Sequence, residues 1–495
     1  MSYGPPPSVY TQSAVAADQA RRRRRRFGIL AVAVALVLVA AGGLSWWFLA
    51  REGTPADGKQ AAAPAPDEIR DTVETPPVSP EGRKVIDHYA EHLEKFDELH
   101  PRYAPGTWAT DKILARGFAD RVEGYRINDR YDETVWTLEL GGHICAVSRH
   151  VTVDGRTAVV VQPHREADAP DASVCEQVVF FDLNTGRKLW QKTMPSADFA
   201  YVTNTNITLT EGVVAIGWGR GSVAYDMKSG RRLWNSTLGS HCEDAGFAGG
   251  PALLALEECG EGDNATYRVQ KLDPSTGKPL WTYRVARGVG SVYLPSSDPP
   301  VLAVAAGGTQ VTDLIALDDQ GRHQTTISLH DYEPACGQRD HGFFGLLETC
   351  DGVVVGRTEV YVASKEDFSK EGPSNWIVAF DLKTGKSVRK FDGRWLQEVV
   401  PLRRSGDDLL IYRVSNAFNP GALISWNPRT DKETLLLLIQ LPQDVAFELN
   451  DPEKTEIVVE KGRIFFGRRA LAHDEDEPEK KVLMAVGYGT AGLKH

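Results

Sequence analysis

A short motif recurs along most of the chain. It joins an apolar stretch, a turn of the form Asp-x-x-Thr/Ser-Gly, and a tryptophan four residues after the glycine. Three copies are complete and end at Trp190, Trp234 and Trp281. Three degraded copies follow at residues 315–323, 378–387 and 423–432. Because one such unit cannot bury its apolar residues alone, the recurrence predicts an array of similar units that pack against each other.

Each unit is predicted to contain four short β-strands. The apolar stretch before the turn is rich in β-branched and aromatic residues, as in 178–181 and 377–380, which favours a strand. In the turn, Asp accepts backbone N–H groups and glycine supplies a positive φ. A second apolar stretch precedes each copy, for example 213–216. The complete copies lie 44 and 47 residues apart, and four strands in about 40–50 residues is the size of one propeller blade.

The tryptophans are predicted to pack between blades. A looser, earlier copy of the motif ends at Trp136, which gives four such residues with Trp190, Trp234 and Trp281. A large flat side chain on an outer strand can cover apolar area between adjacent blades. We therefore interpret these four residues as blade-packing residues and not as ligand contacts.

The motif resembles the repeat of pyrroloquinoline-quinone-type (PQQ-like) propellers. The matching residues are Asp182, Thr185, Gly186 and Trp190, then Asp226, Ser229, Gly230 and Trp234, then Asp273, Thr276, Gly277 and Trp281. A fourth copy with Asp381, Thr384 and Gly385 carries Arg389 at the tryptophan position. The resemblance implies an all-β propeller over residues 107–490. It does not imply one activity, since the repeat occurs in dehydrogenases, assembly scaffolds and sensor domains.

The two ends of the repeat region allow a ring of either seven or eight blades. Partial units cover Lys112–Leu140 and Glu456–Gly489. If these two units merge, the ring has seven blades, and if each forms its own blade, it has eight. A spacing of about 50 residues per unit fits eight slightly better.

The N-terminal part is predicted to cross a membrane once. Residues 27–50 contain no charge, and a helix of that length would be roughly 36 Å long, enough to span a bilayer. The run Arg21–Arg26 directly precedes it, which predicts a disordered cytoplasmic tail at 1–26 and a propeller outside the cell membrane. A cleaved signal peptide is the alternative, although its apolar core is normally only about 7–15 residues. We therefore expect an uncleaved signal anchor.

Two segments separate the predicted span from the propeller. Residues 51–82 are rich in Pro, Ala and acidic residues, which predicts an extended extracytoplasmic linker. Residues 83–106 are predicted to hold a short helix, because Ile86, Tyr89 and Leu93 recur at helical spacing. Such a helix would pack on the propeller or associate with a second copy.

Cysteine usage agrees with a location outside the cytoplasm. Six cysteines in a chain expected to be extracytoplasmic suggest disulfides. We predict bonds between sequence neighbours: Cys145–Cys175, Cys242–Cys259 and Cys336–Cys350. Zinc is the alternative, but the sequence has no Cys-x-x-Cys spacing.

Net charge argues against a nucleic-acid partner. The formal net charge is −11, and six arginines lie in residues 21–26, so the rest of the chain is more acidic still. Phosphate binding requires Lys and Arg on the binding surface. No nucleic-acid binding is therefore expected.

Catalysis is not predicted. The PQQ resemblance would imply a quinone cofactor, a divalent cation and a catalytic Asp, with two adjacent cysteines in the alcohol dehydrogenases of that family. No two cysteines are adjacent here, and no set of Glu, Asn and Asp maps onto the metal ligands. We therefore predict no catalytic, cofactor-binding or metal-binding residue. A PQQ-dependent dehydrogenase remains an alternative.

The favoured function is that of a membrane-anchored extracytoplasmic module that binds or scaffolds a protein or polymer. An envelope sensor or assembly factor is a further alternative. Propellers bind through loops at the faces of the ring. The candidate contact residues in loops or at strand ends are Trp218, Arg220, His241, Arg339, His341 and Phe418.

Overall fold

The computed structural model describes residues 64–90, 101–128, 133–164, 174–237, 242–260, 264–308, 310–332, 334–337, 347–367, 374–443, 445–473 and 481–490. The predicted tail at 1–26 and the predicted span at 27–50 lie outside these residues. Within the described part of the chain, no helix has the length and apolar character needed to cross a membrane.

The described residues form eight four-stranded antiparallel sheets, arranged as the blades of a propeller. Two strands precede the repeats: β1 (Gly82–Ala90) and β2 (Arg102–Tyr103). Blade 1 contains β3 (Thr107–Ala109), β4 (Ile113–Phe118), β5 (Arg121–Arg126) and β6 (Thr134–Glu139). Blade 2 contains β7 (Gly142–Val147), β8 (Arg156–Pro163), β9 (Gln177–Asp182) and β10 (Lys188–Thr193).

The next three blades follow the same order along the chain. Blade 3 contains β11 (Asn206–Thr210), β12 (Val213–Gly217), β13 (Gly221–Asp226) and β14 (Arg232–Thr237). Blade 4 contains β15 (Cys242–Ala248), β16 (Leu253–Cys259), β17 (Thr266–Leu272) and β18 (Pro279–Arg284). Blade 5 contains β19 (Val289–Ser297), β20 (Pro300–Ala306), β21 (Asp313–Leu317) and β22 (His323–Ser328).

A two-stranded ribbon, β23 (Ala335–Cys336) with β24 (Cys350–Asp351), connects blades 5 and 6. Blade 6 contains β25 (Val353–Val355), β26 (Glu359–Ala363), β27 (Trp376–Asp381) and β28 (Ser387–Asp392). Blade 7 contains β29 (Val399–Ser405), β30 (Asp408–Arg413), β31 (Gly421–Asn427) and β32 (Lys432–Ile439), and a short helix α1 (Ala446–Asn450) follows it.

Blade 8 takes strands from both ends of the chain. It contains β33 (Thr455–Glu460), β34 (Arg463–Arg468), β36 (Val482–Thr490) and, as its outer strand, β1. The remaining strand, β35 (Ala470–Leu471), pairs with β2. The partial units at the two ends thus form separate blades. Of the two predicted ring sizes, seven and eight blades, the structure confirms the eight-bladed PQQ-like propeller.

The predicted helix within 83–106 is wrong for its first part, because residues 82–90 form β1, which pairs antiparallel with β36. Two register shifts interrupt this pairing, between Lys84 and Ile86 and between His88 and Tyr89. Ile86 and Ala90, four residues apart, are buried, whereas Tyr89, which the predicted helix placed on the same face, is exposed. Residues four apart share one side in a strand as well as in a helix, so this spacing alone does not distinguish the two. Residues 91–100 lie outside the described part.

Burial explains the composition of the strands. The middle strands of a blade are covered on both sides by neighbouring blades, and β12, Val-Val-Ala-Ile-Gly, is buried at every position. The outer strands face solvent, and in β28 only Phe391 is buried. Apolar runs therefore mark the inner three strands, whereas the fourth strand is mostly polar.

The repeated turn behaves as the sequence predicts. In blade 3, Asp226 Oδ1 accepts hydrogen bonds from the backbone N–H (2.8 Å) and the hydroxyl (2.5 Å) of Ser229. These bonds lower the pKa of Asp226. Gly230 follows with a φ of 64°, a conformation that glycine adopts without strain.

Each complete motif joins two blades through its tryptophan. The half-buried indole of Trp190 in blade 2 lies against Gly230 of blade 3, so that a methyl group on that glycine would be 2.8 Å from Trp190 Cγ. Trp190 Nε1 donates a hydrogen bond to Met227 O (2.8 Å) of the same turn. The glycine of one blade thus also packs against the tryptophan of the preceding blade. The other predicted packing residues repeat this contact in the pairs Trp136–Gly186, Trp234–Gly277 and Trp281–Gly321.

An ion pair replaces this contact between blades 6 and 7. Arg389 stands at the tryptophan position, and its Nε donates to Pro428 O (3.2 Å), as the indoles of Trp190 and Trp234 do to the corresponding turns. Its guanidinium lies 3.8 Å from Asp431, which stands where the other blades have glycine. The degraded copy thus keeps the hydrogen bond to the next blade while it exchanges the aromatic contact for charge.

Candidate functional site

In each antiparallel blade, successive connections between strands lie alternately at the two ends of the strands. The two faces of the ring therefore carry different loops. At one end lie the turns between first and second strands and between third and fourth strands. A segment formed by residues 66–81, here called the strap, crosses this end, which we call the strap face. At the opposite end, the loop face, lie the loops between second and third strands and the connections from one blade to the next.

The strap runs across the mouth of the central channel. Ile69 bridges to Thr152 of blade 2, and Arg70 Nη2 donates to Ala109 O (2.7 Å) of blade 1. Further on, Leu438 N of blade 7 donates to Pro80 O (2.7 Å), just before β1 begins. The predicted linker at 51–82 is therefore packed against the ring in the part that the structure describes.

A buried carboxylate fixes the middle of the strap. The side chain of Glu74 is only 1% exposed and lies 2.6 Å from Arg403 Nη2 of blade 7. It also accepts hydrogen bonds from the backbone N–H groups of Lys461 (3.0 Å) and Gly462 (2.5 Å) of blade 8. One charged group thus joins the strap to two adjacent blades.

A second carboxylate supports the same segment from the ring. Glu460 accepts a hydrogen bond from Thr72 Oγ1 (3.0 Å) and lies 3.5 Å from Arg70 Nε. Burial raises the pKa of Glu460, although Arg70 and Thr72 oppose the shift. Charged groups buried in this way are held in one arrangement by their partners.

Inside the channel, Glu348 links four parts of the ring. It lies in the connection between blades 5 and 6, and its Oε1 accepts hydrogen bonds from His150 Nε2 (2.9 Å), Thr208 Oγ1 (3.1 Å) and Gly249 N (2.7 Å). These donors belong to blades 2, 3 and 4. Burial opposes ionisation, but His150, Arg149 and the Gly249 N–H outweigh it and lower the pKa of Glu348. A charged carboxylate with three donors on one oxygen is a cross-link and is poorly suited to act as a base.

The channel between the strap and these groups encloses a cavity of about 920 Å³. All eight blades contribute to its wall, and the strap contributes residues 67–71. Its arginines are engaged by the protein itself. Arg149 donates to Glu348 O (2.8 Å), and Arg469 pairs with Glu456 (2.8 Å). Among the described residues, no group of three or more His, Cys, Asp or Glu side chains could hold a metal ion.

The loop face carries an exposed aromatic surface around blade 7. We define it by Trp395, Phe418 and Phe447, which are 61%, 80% and 79% exposed. Trp395 lies in the connection from blade 6 to blade 7, Phe418 in the loop between β30 and β31, and Phe447 in α1. All three therefore emerge at the same end of neighbouring strands.

Hydrogen bonds hold the three loops together. Gln397 Nε2 donates to Val414 O (3.1 Å) and Pro420 O (3.0 Å), which ties the Trp395 connection to the Phe418 loop. Asn450 Nδ2 donates to Ser415 O (2.8 Å), which ties α1 to the same loop. The aromatic side chains therefore project from fixed backbone, as binding surfaces require.

The Phe418 loop is also fixed internally. Asn416 Oδ1 accepts hydrogen bonds from Phe418 N (2.9 Å) and Asn419 N (2.8 Å). Asn416 N in turn donates to Asn419 O (3.0 Å). This turn holds the ring of Phe418 outward, where it is 80% exposed.

The predicted contact residues have different locations. Phe418 belongs to the aromatic surface. Arg220 lies on the loop face and stacks over the half-exposed Phe199 ring at 4.0 Å. The prediction for Trp218 is wrong, because this side chain is fully buried in the core between blades 2 and 3. His241, Arg339 and His341 lie outside the described residues.

Sequence reasoning missed Trp395 and Phe447. Neither belongs to the repeat, and each stands in a connection between blades. The usable signal was an aromatic residue among turn-forming and polar residues, as in Gly393-Arg-Trp-Leu-Gln397. An apolar side chain in a surface connection has no neighbouring strand to cover it.

The predicted disulfides are confirmed in all three pairs. The bonds join Cys145 to Cys175, Cys242 to Cys259, and Cys336 to Cys350. The first two lie within blades 2 and 4. The third joins β23 to β24 and so holds the segment that carries Glu348.

Comparison with known proteins agrees with the fold. A family model described as outer membrane protein assembly factor BamB matches residues 108–249. A comparison with curated proteins gives no match.

Several solved structures are similar to this chain. The structure of BamB from Moraxella catarrhalis covers 83% of this chain and 100% of its own, with 11% identity and a TM-score of 0.42. Quinohemoprotein alcohol dehydrogenase ADHIIG from Pseudomonas putida HK5 covers 86% of this chain and 79% of its own, with 12% identity and a TM-score of 0.48. Quinohemoprotein alcohol dehydrogenase from Comamonas testosteroni covers 87% of this chain and 82% of its own, with 11% identity and a TM-score of 0.45. At these identities the likeness concerns the fold alone.

A quinone cofactor with its cation does not fit the described channel. Such a group needs free cationic donors for its carboxylates and a cluster of oxygen ligands for the metal. The arginines Arg70 and Arg403 are already paired with Glu460 and Glu74. Glu348, a carboxylate of the channel wall, has its Oε1 occupied by three protein donors. These three residues are therefore engaged within the protein and are not free to bind a quinone or its cation.

Proposed function

We propose that this chain is a membrane-tethered extracytoplasmic propeller that binds a partner protein through its aromatic surface and performs no catalysis. The observation that carries the proposal is the exposure of Trp395, Phe418 and Phe447 on loops that are hydrogen-bonded to one another. Aromatic side chains of this size are enriched at the centres of protein interfaces. The match of residues 108–249 to an assembly factor supports a protein partner.

The cysteines and the N-terminal sequence support the proposed compartment. The described cysteines are all in disulfides, and disulfides persist outside the reducing cytoplasm. The uncharged residues 27–50 behind Arg21–Arg26 would provide the tether.

The position of the strap supports an orientation for the ring. The chain reaches the strap face near Asp67, beside Gly212 of blade 3. The 16 residues from 51 to 66 can extend over at most about 55 Å. A tether that ends on the strap face leaves the opposite, aromatic face turned away from the membrane, where a partner can reach it.

Site-specific photo-crosslinking in intact cells tests the proposal. A photoreactive phenylalanine analogue at Phe418 is expected to give a discrete adduct with one protein. The adduct should weaken when Trp395→Ser and Phe447→Ser are added. The matched control places the analogue at Val78, which is fully exposed on the strap. Equal adducts at both positions, or none at Phe418, would contradict the proposal.

A further inference from the structure

Three carboxylates lie in the same loops as the aromatic surface or next to them. Glu398 follows Trp395 in the same connection, Asp451 directly follows α1, and Glu366 lies at the loop-face end of blade 6. Their mutual proximity has an electrostatic consequence. Burial raises the pKa of Glu398, and the charges of Glu366 and Asp451 raise it further.

These carboxylates are not neutralised by the described residues. No basic side chain among the described ranges forms an ion pair with Glu366, Glu398 or Asp451. Two basic residues also lie at the surface: Arg394 pairs with Glu433 at 3.6 Å, and Lys454 lies over the Phe447 ring at 5.4 Å. The three carboxylates outnumber these two basic residues, so the surface combines apolar rings with negative charge.

A cation next to an aromatic ring is already part of this surface. The Lys454 ammonium over Phe447 shows that a basic side chain fits against these rings. Attraction between a cation and a ring face adds to an ionic contact when both are available. Basic residues also have long methylene stems that can cover apolar surface.

We propose that the occupant of the aromatic surface is a peptide segment of the partner in which basic residues adjoin aliphatic residues. This inference rests on the proposed function and specifies its ligand. The aliphatic side chains would cover Trp395, Phe418 and Phe447, and the basic groups would reach Glu398 and its neighbouring carboxylates. Charge complementarity of this kind selects partners and speeds association.

Three matched fluorescent peptides test the inference on the full chain in detergent. They share length and aliphatic positions and differ only in whether two further positions are Lys, Gln or Glu. Fluorescence anisotropy at low salt is expected to show that the Lys peptide binds about tenfold more tightly than the Gln peptide. The Glu peptide should bind least.

Two variants locate the effect. Glu398→Gln should weaken binding of the Lys peptide about fivefold and leave binding of the Gln peptide unchanged, because the substitution removes one charge contact. Asp407→Asn is the matched control: this exposed acid lies in the same blade at the strap face, and its loss should change nothing.

The outcomes separate the inference from the proposed function. If Lys and Gln peptides bind equally, or if Glu398→Gln affects them equally, the cationic ligand is wrong while a binding role for the aromatic rings survives. If no peptide binds but Phe418 still gives its crosslink in cells, the basic-peptide inference alone is overturned. If that crosslink is absent as well, both proposals fail.

Discussion

At the residue scale, one glycine position serves two purposes. In the complete motifs, glycine adopts the positive φ of the turn and leaves room for the tryptophan of the preceding blade. The sequence shows the pairing of Gly and Trp within one motif. The structure shows that the two residues that touch come from successive motifs, as in Trp190 and Gly230. Arg389 and Asp431 keep this relation in another chemical form.

The packing role of the motif tryptophan predicts a large loss of stability on its removal. Trp190→Ala should lower the free energy of unfolding by about 3 kcal/mol, since it leaves a cavity between two blades and removes a hydrogen bond. Trp395→Ala is the matched control and should change stability by less than about 0.5 kcal/mol, because this side chain is exposed. Urea denaturation followed by fluorescence measures both. Equal effects would refute the assignment.

A buried carboxylate in β15 predicts a pH dependence. Burial raises the pKa of Asp244 to about 6, with Ser222 opposing and Glu257 adding to the shift. The unfolded chain ionises this group near pH 4 whereas the folded chain holds its proton to about pH 6. Stability should therefore fall as pH rises through this window.

Substitution of this residue provides the measurement. Asp244→Asn should raise the free energy of unfolding at pH 7 by about 2 kcal/mol and have little effect at pH 4, since the protonated acid and the amide are similar there. Denaturation at both pH values gives the comparison. Asp392→Asn, at an exposed position of β28, should show no such difference. A stabilisation that is equal at both pH values would exclude ionisation as the cause.

At the scale of elements, the strap depends on buried charge more than on apolar contacts. Glu74 reaches Arg403 and two backbone N–H groups, and the chain around it has no regular strand pairing. Proline, alanine and acidic residues suggested a free linker because composition reports local preference only. The partners of Glu74 are more than 300 residues away in the sequence.

Loss of the buried carboxylate should loosen the strap. Glu74→Ala leaves Arg403 without its partner, and we expect hydrogen exchange in residues 66–81 to accelerate at least tenfold, which corresponds to a loss of about 1.4 kcal/mol of local stability. Asp71→Ala removes the pair with Arg404, in which Asp71 is half exposed, and should accelerate exchange less than about threefold. Hydrogen exchange with mass spectrometry resolves both. Similar exchange in the two variants would show that the buried pair does not hold the strap.

At the scale of the whole molecule, ring closure joins the two ends of the propeller. The outer strand of blade 8 is β1, whereas the other three strands of that blade come from residues 455–490. Ile86 of this strand is fully buried among residues of blades 1 and 8. An edge strand left open in a ring of sheets would be a site for aggregation.

The closing strand should therefore contribute to the stability of the whole ring. Ile86→Ala is expected to lower the free energy of unfolding by about 3 kcal/mol in one cooperative transition. Val78→Ala, at a fully exposed position of the strap just before β1, should change it by less than about 0.5 kcal/mol. Equilibrium denaturation of both variants supplies the comparison. A neutral Ile86→Ala would mean that the strand is not part of the folding unit.

The repeat, its turns, the disulfide pairs and the size of the ring could be predicted from the sequence. These features depend on local requirements: a turn places Asp and Gly within five residues, and a blade completes its strands within about 50 residues. Only the tertiary structure decided that residues 82–90 close the ring, that the strap crosses the channel mouth, and that Trp395, Phe418 and Phe447 share one face. Each of these depends on which distant surfaces meet, as when Glu74 contacts Arg403 across 329 residues. Local sequence does not specify such partners, because a strand or a carboxylate of the same chemistry could pair with other groups in another fold.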